Sequence, residues 1–377
     1  MAGIYVHVPF CRQACRYCDF YFTVSLQYLD AYIDALVGEI RLAGATGFMT
    51  KELDTVYLGG GTPSVLSENH LDRILREIHH QYTIKPDAEI TLEANPDDLK
   101  PGVPERLREQ GLNRLSIGIQ SFREKDLALM RRSHTAQQAH ACLERSEKAG
   151  FKNISIDLMY GLPGLSVSAW EKNVRTALQS PVHHLSAYHL TYEPGTVFHH
   201  WRKKGRLQEI TEQVSVDQYY LLREITDSGG YEHYEISNFA KQGFRSKHNT
   251  GYWNGRHYTG FGPSAHSFNG HLRRWNISSL KEYIIKSERG EACYTEEQLT
   301  TQDRYHDRLI TALRTVEGVD VEQVRKQFGV VYAEGLVQKA EKFLKTGDLE
   351  KVGNQVLRMT PGGWLKSDMV ISELMES

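Results

Sequence analysis

Six apolar runs of strand length recur along the first 190 residues, and stretches with apolar residues at helical spacing lie between them. The predicted strands are 4–8, 55–58, 90–93, 114–119, 154–159 and 185–190, and the clearest intervening helices are 71–78 and 136–149. Such alternation favours parallel strands with crossover helices. A closed eight-stranded barrel needs roughly 250 residues, and about 200 precede the change of pattern, so the sequence predicts an α/β fold with an incomplete, open (β/α)6 barrel.

The pattern divides the chain into three expected parts. Residues 1–200 form the partial barrel, 201–290 extend it, and 291–377 form a small, mainly helical C-terminal domain. This last domain resembles a winged helix, with predicted helices at 303–313, 321–328 and 333–344, a hairpin at 349–359 and a terminal helix. Winged helices often bind DNA, but acidic side chains and a near-neutral net charge indicate a lid or docking surface and no nucleic-acid partner.

Composition describes an ordinary globular protein. The chain has 377 residues, 40% hydrophobic and 24% charged, with a formal net charge of −2. No uninterrupted apolar stretch reaches the ~18 residues that a membrane span needs. The odd number of cysteines and the absence of a signal-peptide pattern favour a reducing, cytoplasmic location.

The main chemical signal is a C-x3-C-x2-C loop directly after the first predicted strand, formed by Cys11, Cys15 and Cys18. Three thiolates on one tight loop can hold three corners of a cubane 4Fe-4S cluster, whereas a fully ligated cluster usually takes four. Cys142 and Cys293 have no cysteine neighbour with which to form a ligand pair. The fourth iron would then be open to a small chelating ligand.

Zinc, disulfides and inert thiols suit this loop less well than a cluster does. Structural zinc normally uses paired C-x2-C units or Cys/His pairs. Disulfides do not suit a reducing compartment. Inert, buried cysteines are the simplest alternative, but three thiols lie within eight residues, beside Arg12 and Arg16, which favour thiolates.

Further polar and glycine motifs follow the remaining predicted strands, at the edge where carboxyl ends of parallel strands meet. Taken alone, a glycine-rich loop after a strand more often forms only a turn, and Glu93, Gln120 and Asp157 are consistent with ordinary solvated loop residues. Together they predict a shared pocket in which Gly60 and Gly61 admit a ligand close to the backbone and Thr62 donates to its carboxylate. Acidic side chains there would take an ammonium group or ribose hydroxyls. The motifs are 59–63, 93–96, 120–122, 157–163 and 189–195.

The cysteine spacing, with an aromatic residue just before the third cysteine, resembles the radical SAM superfamily. Residues 1 to about 290 are similar to the radical SAM group that contains oxygen-independent coproporphyrinogen III oxidase (HemN) and the HemW-type haem chaperones, on the stretches 5–11, 59–63, 118–122 and 157–163. The resemblance implies that the three cysteines hold the cluster and that S-adenosylmethionine (SAM) chelates its open iron. The residues implied to line the SAM site are Tyr5, Tyr17, Gly60, Gly61, Thr62, Glu93, Gln120, Arg132 and Asp157, with Arg131 as an alternative to its neighbour.

Two departures from the oxidase pattern favour the chaperone branch. The oxidase resemblance calls for a cysteine where this chain has Phe20, and for an N-terminal extension ahead of the first strand. On the positive side, residues 248–253 match the H-N-x-x-Y-W motif associated with haem in HemW-like proteins. The resemblance implies that haem is bound by His248, Asn249, Tyr252 and Trp253.

Histidine and aromatic side chains suit haem, because imidazole ligates the iron and flat rings cover the macrocycle. His248 is the expected axial ligand. By chemistry alone, packing in a core is the commoner role for such a cluster. Glycines at 251, 255, 260 and 262 predict a tight, irregular loop here.

The sequence thus predicts a haem chaperone that binds haem, a 4Fe-4S cluster and SAM and passes haem to an unidentified acceptor protein. The cluster and SAM would tune haem transfer or formation of a homodimer. The alternative is a radical SAM oxidoreductase that cleaves SAM to a 5′-deoxyadenosyl radical and acts on a porphyrinogen. A zinc-containing structural or interaction module is a third hypothesis.

Overall fold

A computed structural model, which describes residues 2–48 and 50–375, contains one large twelve-stranded sheet within these residues. Its centre is a set of six parallel strands that pair in chain order and confirm the six predicted β/α units. The strands are β1 (Ala2–Val8), β2 (Glu52–Gly60), β3 (Thr83–Ala94), β4 (Arg114–Gln120), β5 (Ile154–Tyr160) and β6 (His184–His189). Helices α1 (Leu29–Thr46), α2 (Glu68–Gln81), α3 (Val103–Glu109), α4 (Glu124–Met130), α5 (Ala136–Lys148) and α6 (Val167–Gln179) connect them.

Local sequence accounts for these elements. Ile4, Val6 and Val8 of β1 are fully buried, as expected for a parallel strand covered on both faces. Ser67 begins α2 and Thr135 begins α5 as N-caps whose side chains accept a backbone N–H from the first turn. The alternation of buried strands and capped helices therefore produces the barrel.

The segment after β6 adds strands to both sides of the parallel set. On one side, β8 pairs antiparallel with β6, and β7 pairs with β8. On the opposite side, β9 pairs parallel with β1, so β1 lies between β9 and β2. Within the described chain the strand order runs from β12 to β7 without closure, which confirms an open barrel, although the parallel strand β9 was not predicted. The added elements are α7 (Val197–Lys203), α8 (Glu212–Ser228), β7 (Tyr231–Glu235), β8 (Asn238–Lys241), α9 (Lys247–Trp253), β9 (His257–Phe261), β10 (His266–Phe268), β11 (Leu272–Asn276), α10 (Leu280–Glu288) and β12 (Tyr294–Gln298).

The expectation of an irregular loop over the H-N-x-x-Y-W motif is wrong, because residues Lys247–Trp253 form helix α9. Ser246 caps this helix by accepting the N–H of Asn249 at 3.3 Å. The helix accommodates Gly251, and the left-handed glycines lie beyond it, at Gly255 (φ 63°) and Gly262 (φ 92°). The irregular backbone therefore follows the motif.

The C-terminal part is mainly helical and winged-helix-like, as predicted. Its three-stranded sheet has the order β13-β15-β14, and its core extends from Tyr305 to Leu374, whereas the barrel core extends from Ala2 to Cys293. Backbone hydrogen bonds of 2.9–3.0 Å join the two parts at Ile236–Arg314 and Val316–Tyr234. No helix in the described ranges is long and apolar enough to cross a bilayer. The elements are α11 (Thr301–Ala312), β13 (Val319–Asp320), α12 (Val321–Phe328), α13 (Val330–Thr346), β14 (Leu349–Val352), β15 (Val356–Met359), α14 (Pro361–Trp364) and α15 (Ser367–Met375).

Candidate cofactor sites at the two ends of the barrel

The cysteine loop lies at the carboxyl end of β1 and is fixed by backbone hydrogen bonds to several elements. Cys11 donates its N–H to Thr23 at 2.9 Å, and Arg16 donates its N–H to Met130, the last residue of α4, at 3.1 Å. The carbonyl of Arg16 accepts the N–H of Phe198 in α7 at 2.9 Å. The loop is therefore held between α4 and α7.

The three thiols are half-buried and act on one another electrostatically. Cys11 Sγ accepts a hydrogen bond from Thr62 Oγ1 at 3.4 Å, and Cys15 Sγ accepts one from Arg132 Nη1 at 3.3 Å. Burial, together with the charges of Cys15 and Cys11, raises the pKa of Cys18 to about 11. Binding of iron by these cysteines would therefore release protons.

This arrangement fits an iron–sulfur cluster. A cubane binds each cysteine through a different iron, so the sulfurs need to be neighbours without converging on one point. Residues 2–48 and 50–375 contain no group of three or more His, Cys, Asp or Glu side chains placed to hold a metal ion. The guanidinium of Arg132 places a positive charge beside Cys15 Sγ.

Two carboxylates lie inside the barrel next to this loop. Glu93 on β3 accepts hydrogen bonds from Tyr57 OH at 2.8 Å and from the N–H of Gly60 at 3.0 Å. Burial, with the charge of Asp157, raises the pKa of Glu93 to about 7. Burial also raises the pKa of Asp157 to about 6, although a hydrogen bond with Ser186 acts to lower it. These carboxylates can accept hydrogen bonds from an ammonium group or from hydroxyls.

Arg132, and not Arg131, points into the site. Arg132 Nη2 donates to Asn95 Oδ1 and to the carbonyl of Gly118, both at 2.6 Å. Its Nε is buried without a partner among the described residues. Arg131 is exposed, and its left-handed backbone (φ 58°) ends α4 and directs its side chain outward.

The glycines at the end of β2, Gly60 and Gly61, are required by the protein's own packing. A Cβ at Gly60 (φ 107°) would lie 2.6 Å from His7, and one at Gly61 would lie 2.8 Å from the carbonyl of Phe10. Gly61 and Thr62 donate their N–H groups to Val8 and Phe10 at 2.9 and 2.8 Å. This loop therefore follows the end of β1 and brings Thr62 to Cys11.

Gln120 at the end of β4 is a non-glycine residue with a left-handed backbone (φ 66°), beside an irregularity in the β4–β5 pairing. Such backbone strain is typical of binding sites. Tyr5 contacts His7 Nδ1 through its hydroxyl at 3.0 Å, and the hydroxyl of Tyr17 accepts from Arg132 Nη1 at 3.5 Å.

All nine residues implied for SAM thus lie at this end or inside the barrel. The sequence did not single out Tyr57, Asn95 and Ser186 as residues of this site. Their side chains form hydrogen bonds with Glu93, Arg132 and Asp157, respectively. Asn95 lies in the 93–96 motif, and Tyr57 precedes Gly59 by two positions on the same face of β2, which was an available signal.

His248 lies at the opposite end of the barrel, where helix α9 packs against the paired strands β1 and β2. Its Nδ1 is 2.7 Å from Thr55 Oγ1, and its Nε2 is 2.8 Å from the hydroxyl of Tyr252. The ring stacks on Tyr57 with centroids 5.0 Å apart, and the residue is only 4% exposed. Burial lowers the pKa of His248 to about 3, so the imidazole is neutral, which is the form that ligates metals.

A buried ion pair holds the motif helix in this position. The carboxylate of Glu89 accepts the N–H of Lys247 at 3.1 Å and that of His248 at 3.2 Å. Arg114, 1% exposed, places its Nε 3.9 Å from Glu89, and its charge also acts on Glu93 and Asp157. The structure therefore places the H-N-x-x-Y-W motif and the cysteine loop at opposite ends of the barrel. Buried charged side chains lie between these two ends.

The fold and the cysteine site define a radical SAM protein. A family model of the radical SAM superfamily matches residues 5–177, and a model of the HemN C-terminal domain matches residues 299–365. The structure matches that of coproporphyrinogen III oxidase (HemN) from Escherichia coli, a radical SAM enzyme, with a TM-score of 0.85 at 24% identity, over 99% of this chain and 89% of that one. At this identity the match establishes the fold.

Two relatives identify the family within the radical SAM superfamily. The chain is 38% identical to the haem chaperone HemW of Bacillus subtilis, over 87% of each chain. It is 35% identical to the haem chaperone HemW of Lactococcus lactis, over 92% of each chain. The chain belongs to the HemW family.

Proposed function

We propose that this protein is a cytoplasmic haem chaperone that binds haem, a 4Fe-4S cluster and SAM and transfers haem to an acceptor protein. The observation that carries this proposal is the presence in one barrel of a three-cysteine site at one end and the H-N-x-x-Y-W helix at the opposite end. Similarity to HemW proteins over most of both chains supports it.

At the first end, Cys11, Cys15 and Cys18 would hold the cluster, which when bound supplies an electron to SAM. Glu93 and Asp157 offer acceptors for the ammonium group and ribose hydroxyls of SAM, since both carboxylates lie inside the barrel next to the cysteine loop. Arg132 keeps positive charge beside Cys15.

At the second end, His248 would ligate the haem iron, with Asn249, Tyr252 and Trp253 next to it. Both ring nitrogens of His248 are engaged in hydrogen bonds inside the barrel. Ligation therefore requires α9 to move out of the barrel, or at least His248 to leave Thr55 and Tyr252. A helix that can dock and leave offers a route for both capture and release of haem.

The test is a haem titration of the anaerobically reconstituted protein, followed by absorption, with a haem-free globin as acceptor. We expect stoichiometric binding, weakened in His248→Ala, and transfer of haem to the globin. His257→Ala is the matched control, because His257 is an exposed histidine nine positions further along the chain, and it should bind as the parent does. Haem binding that is equal in His248→Ala and the parent would contradict the assigned ligand.

The alternative function is a radical SAM oxidoreductase that acts on a porphyrinogen. The assembled carboxylates and cysteines favour it, whereas Phe20, 67% exposed, stands where the oxidase resemblance calls for a cysteine. Coproporphyrinogen III, SAM and a reductant should yield no decarboxylated product. Turnover at the rate of a genuine oxidase would reverse the order of the two proposals.

A further inference from the structure

The side chain of Tyr57 contacts a residue of each candidate site. It lies on β2 and is 8% exposed. Its hydroxyl donates to Glu93 Oε1 at 2.8 Å, and its ring stacks on the imidazole of His248, with centroids 5.0 Å apart and planes inclined by 23°. Glu93 is a proposed SAM residue, and His248 is the proposed haem ligand. One buried ring therefore joins the two ends of the barrel.

The absence of a side chain at Gly59 makes this contact possible. Positions 57 and 59 share one face of β2. A Cβ at Gly59 would lie 2.8 Å from Cε1 of Tyr57 and 2.9 Å from Oε1 of Glu93. Any larger residue at this position would occupy the space through which the tyrosine reaches the carboxylate.

The stacking on His248 belongs to the state in which α9 is docked. Ligation of haem requires His248 to leave Thr55 and Tyr252, and the ring of Tyr57 would then lose the imidazole that covers its face. Tyr57 is therefore held more firmly when α9 is docked than when it has moved. A ligand that fixes Tyr57 in its present position favours the docked helix.

Glu93 offers SAM a way to fix Tyr57. In its present position the carboxylate accepts hydrogen bonds from Tyr57 and from the N–H of Gly60. Burial and the charge of Asp157 raise the pKa of Glu93 to about 7, so near neutral pH part of this carboxyl is protonated in the ligand-free protein. An ammonium group beside it favours the ionised form, which accepts a stronger hydrogen bond. Bound SAM should therefore strengthen the bond between Tyr57 and Glu93.

We propose that Tyr57 is a positioning residue that couples the two sites: SAM bound at Glu93 holds Tyr57 against His248, favours the docked α9 and weakens haem binding. This inference rests on the proposed binding of SAM and haem at these residues. Haem should weaken SAM binding by the same factor, because coupling between two sites is reciprocal. Occupation of the SAM site would then promote release of haem. The effect requires SAM, so haem affinity without SAM stays independent of the cluster.

The experiment titrates haem into the full-length, anaerobically reconstituted protein with and without saturating SAM, in the absence of a reductant, so that SAM stays intact. In the parent, SAM should lower haem affinity by about three- to tenfold, the effect of one hydrogen bond that differs between two states. Equilibrium dialysis should show that haem lowers SAM affinity by the same factor. Tyr57→Phe keeps the stacked ring and loses the hydroxyl, so SAM should leave its haem affinity unchanged.

Tyr231→Phe is the matched control, because it also removes a buried hydroxyl, one that donates to the carbonyl of Val182 at 2.6 Å. This variant should keep the parental response to SAM. Glu93→Gln, measured at SAM concentrations that saturate it, should lose the response, since the amide stays neutral with SAM bound. It replaces Tyr57→Phe if that variant fails to fold, as shown by its thermal transition.

Two results would overturn the coupling and leave both binding sites intact. One is equal haem affinity of the parent with and without SAM, and the other is a parental response to SAM in folded Tyr57→Phe. Failure of the parent to bind haem or SAM would instead overturn the proposed function.

Discussion

The imidazole of His248 and the hydroxyl of Thr55 lie 2.7 Å apart, so the candidate haem ligand is hydrogen-bonded to the amino-terminal part of β2. This contact stabilises the state in which α9 closes that end of the barrel. The strength of this closure should therefore influence how readily haem reaches His248.

We predict that Thr55→Val speeds haem association and raises haem affinity, because it weakens the closed state relative to the open one. The same change should lower the free energy of unfolding by about 1–3 kcal/mol, since Nδ1 of His248 loses its buried partner. Stopped-flow absorption and chemical denaturation measure the two effects.

The control is Thr91→Val, since Thr91 on β3 is fully buried and its hydroxyl has no partner among the described residues. This variant should be neutral or slightly more stable and should bind haem at the parental rate. Slower association in Thr55→Val would show that closure does not limit binding.

Cys15→Ser should abolish the visible absorption of the reconstituted cluster and leave haem affinity within a few-fold of the parent. The reason is distance along β1, because the cysteines follow its carboxyl end, whereas His248 lies near its amino end, where a Cβ added at Gly3 would be 3.2 Å from His248 Nδ1. Cys293→Ala removes a buried thiol outside the loop and should retain the cluster. Simultaneous loss of cluster and haem in a folded Cys15→Ser protein would refute independent sites.

Glu93→Gln should stabilise the ligand-free protein at pH 8 by about 1–2 kcal/mol and weaken SAM binding. The pKa of Glu93 is raised from 4.5 to about 7, so the folded state binds its proton more tightly than the unfolded chain. The parent's stability from this group is full below pH 4.5 and is lost as pH rises through about 7.

The stabilisation by Glu93→Gln should therefore shrink toward zero near pH 4.5. Denaturant unfolding at pH 5 and pH 8 tests this, with the exposed Glu109→Gln as control. A pH-independent difference between Glu93→Gln and the parent would mean that ionisation of Glu93 is not its cause.

Gly60→Ala should cost roughly 1–3 kcal/mol of stability and reduce cluster occupancy, because a left-handed backbone is combined with a Cβ 2.6 Å from His7. Gly111→Ala separates the two causes, since Gly111 also has a positive φ (91°) but no atom within 4 Å of the added Cβ. Iron content after reconstitution and thermal unfolding are the measurements. We expect Gly111→Ala to lose some stability and to keep its cluster.

Much of the barrel follows from sequence because strands buried on both faces give continuous apolar runs with clear limits. Parallel pairing then places the end of every strand at one edge, so Cys11, Glu93 and Gln120 meet without any knowledge of distances. Helix α9 could not be predicted in this way. Glu89, which accepts two of its first N–H groups, lies about 160 residues earlier in the chain and leaves no local signal.

Two more features depend on tertiary contacts. Sequence alone left Arg131 and Arg132 as alternatives, and the left-handed turn at Arg131 decides between them. The pairing of β9 with β1 joins residues more than 250 positions apart, and the short, glycine-containing run of β9 resembles a loop.

The ion pair of Glu89 and Arg114 has a thermodynamic consequence for any ligand that draws α9 outward. Withdrawal would deprive a 5% exposed carboxylate of two N–H donors and leave it facing a guanidinium 3.9 Å away. The loss of these two hydrogen bonds to Glu89 would cost free energy and offset part of the stabilisation by the iron–imidazole bond. The measured haem affinity would therefore be modest even where the coordination itself is strong. This cost would assist a protein that has to release haem, because re-docking of α9 against the barrel favours dissociation of the ligand.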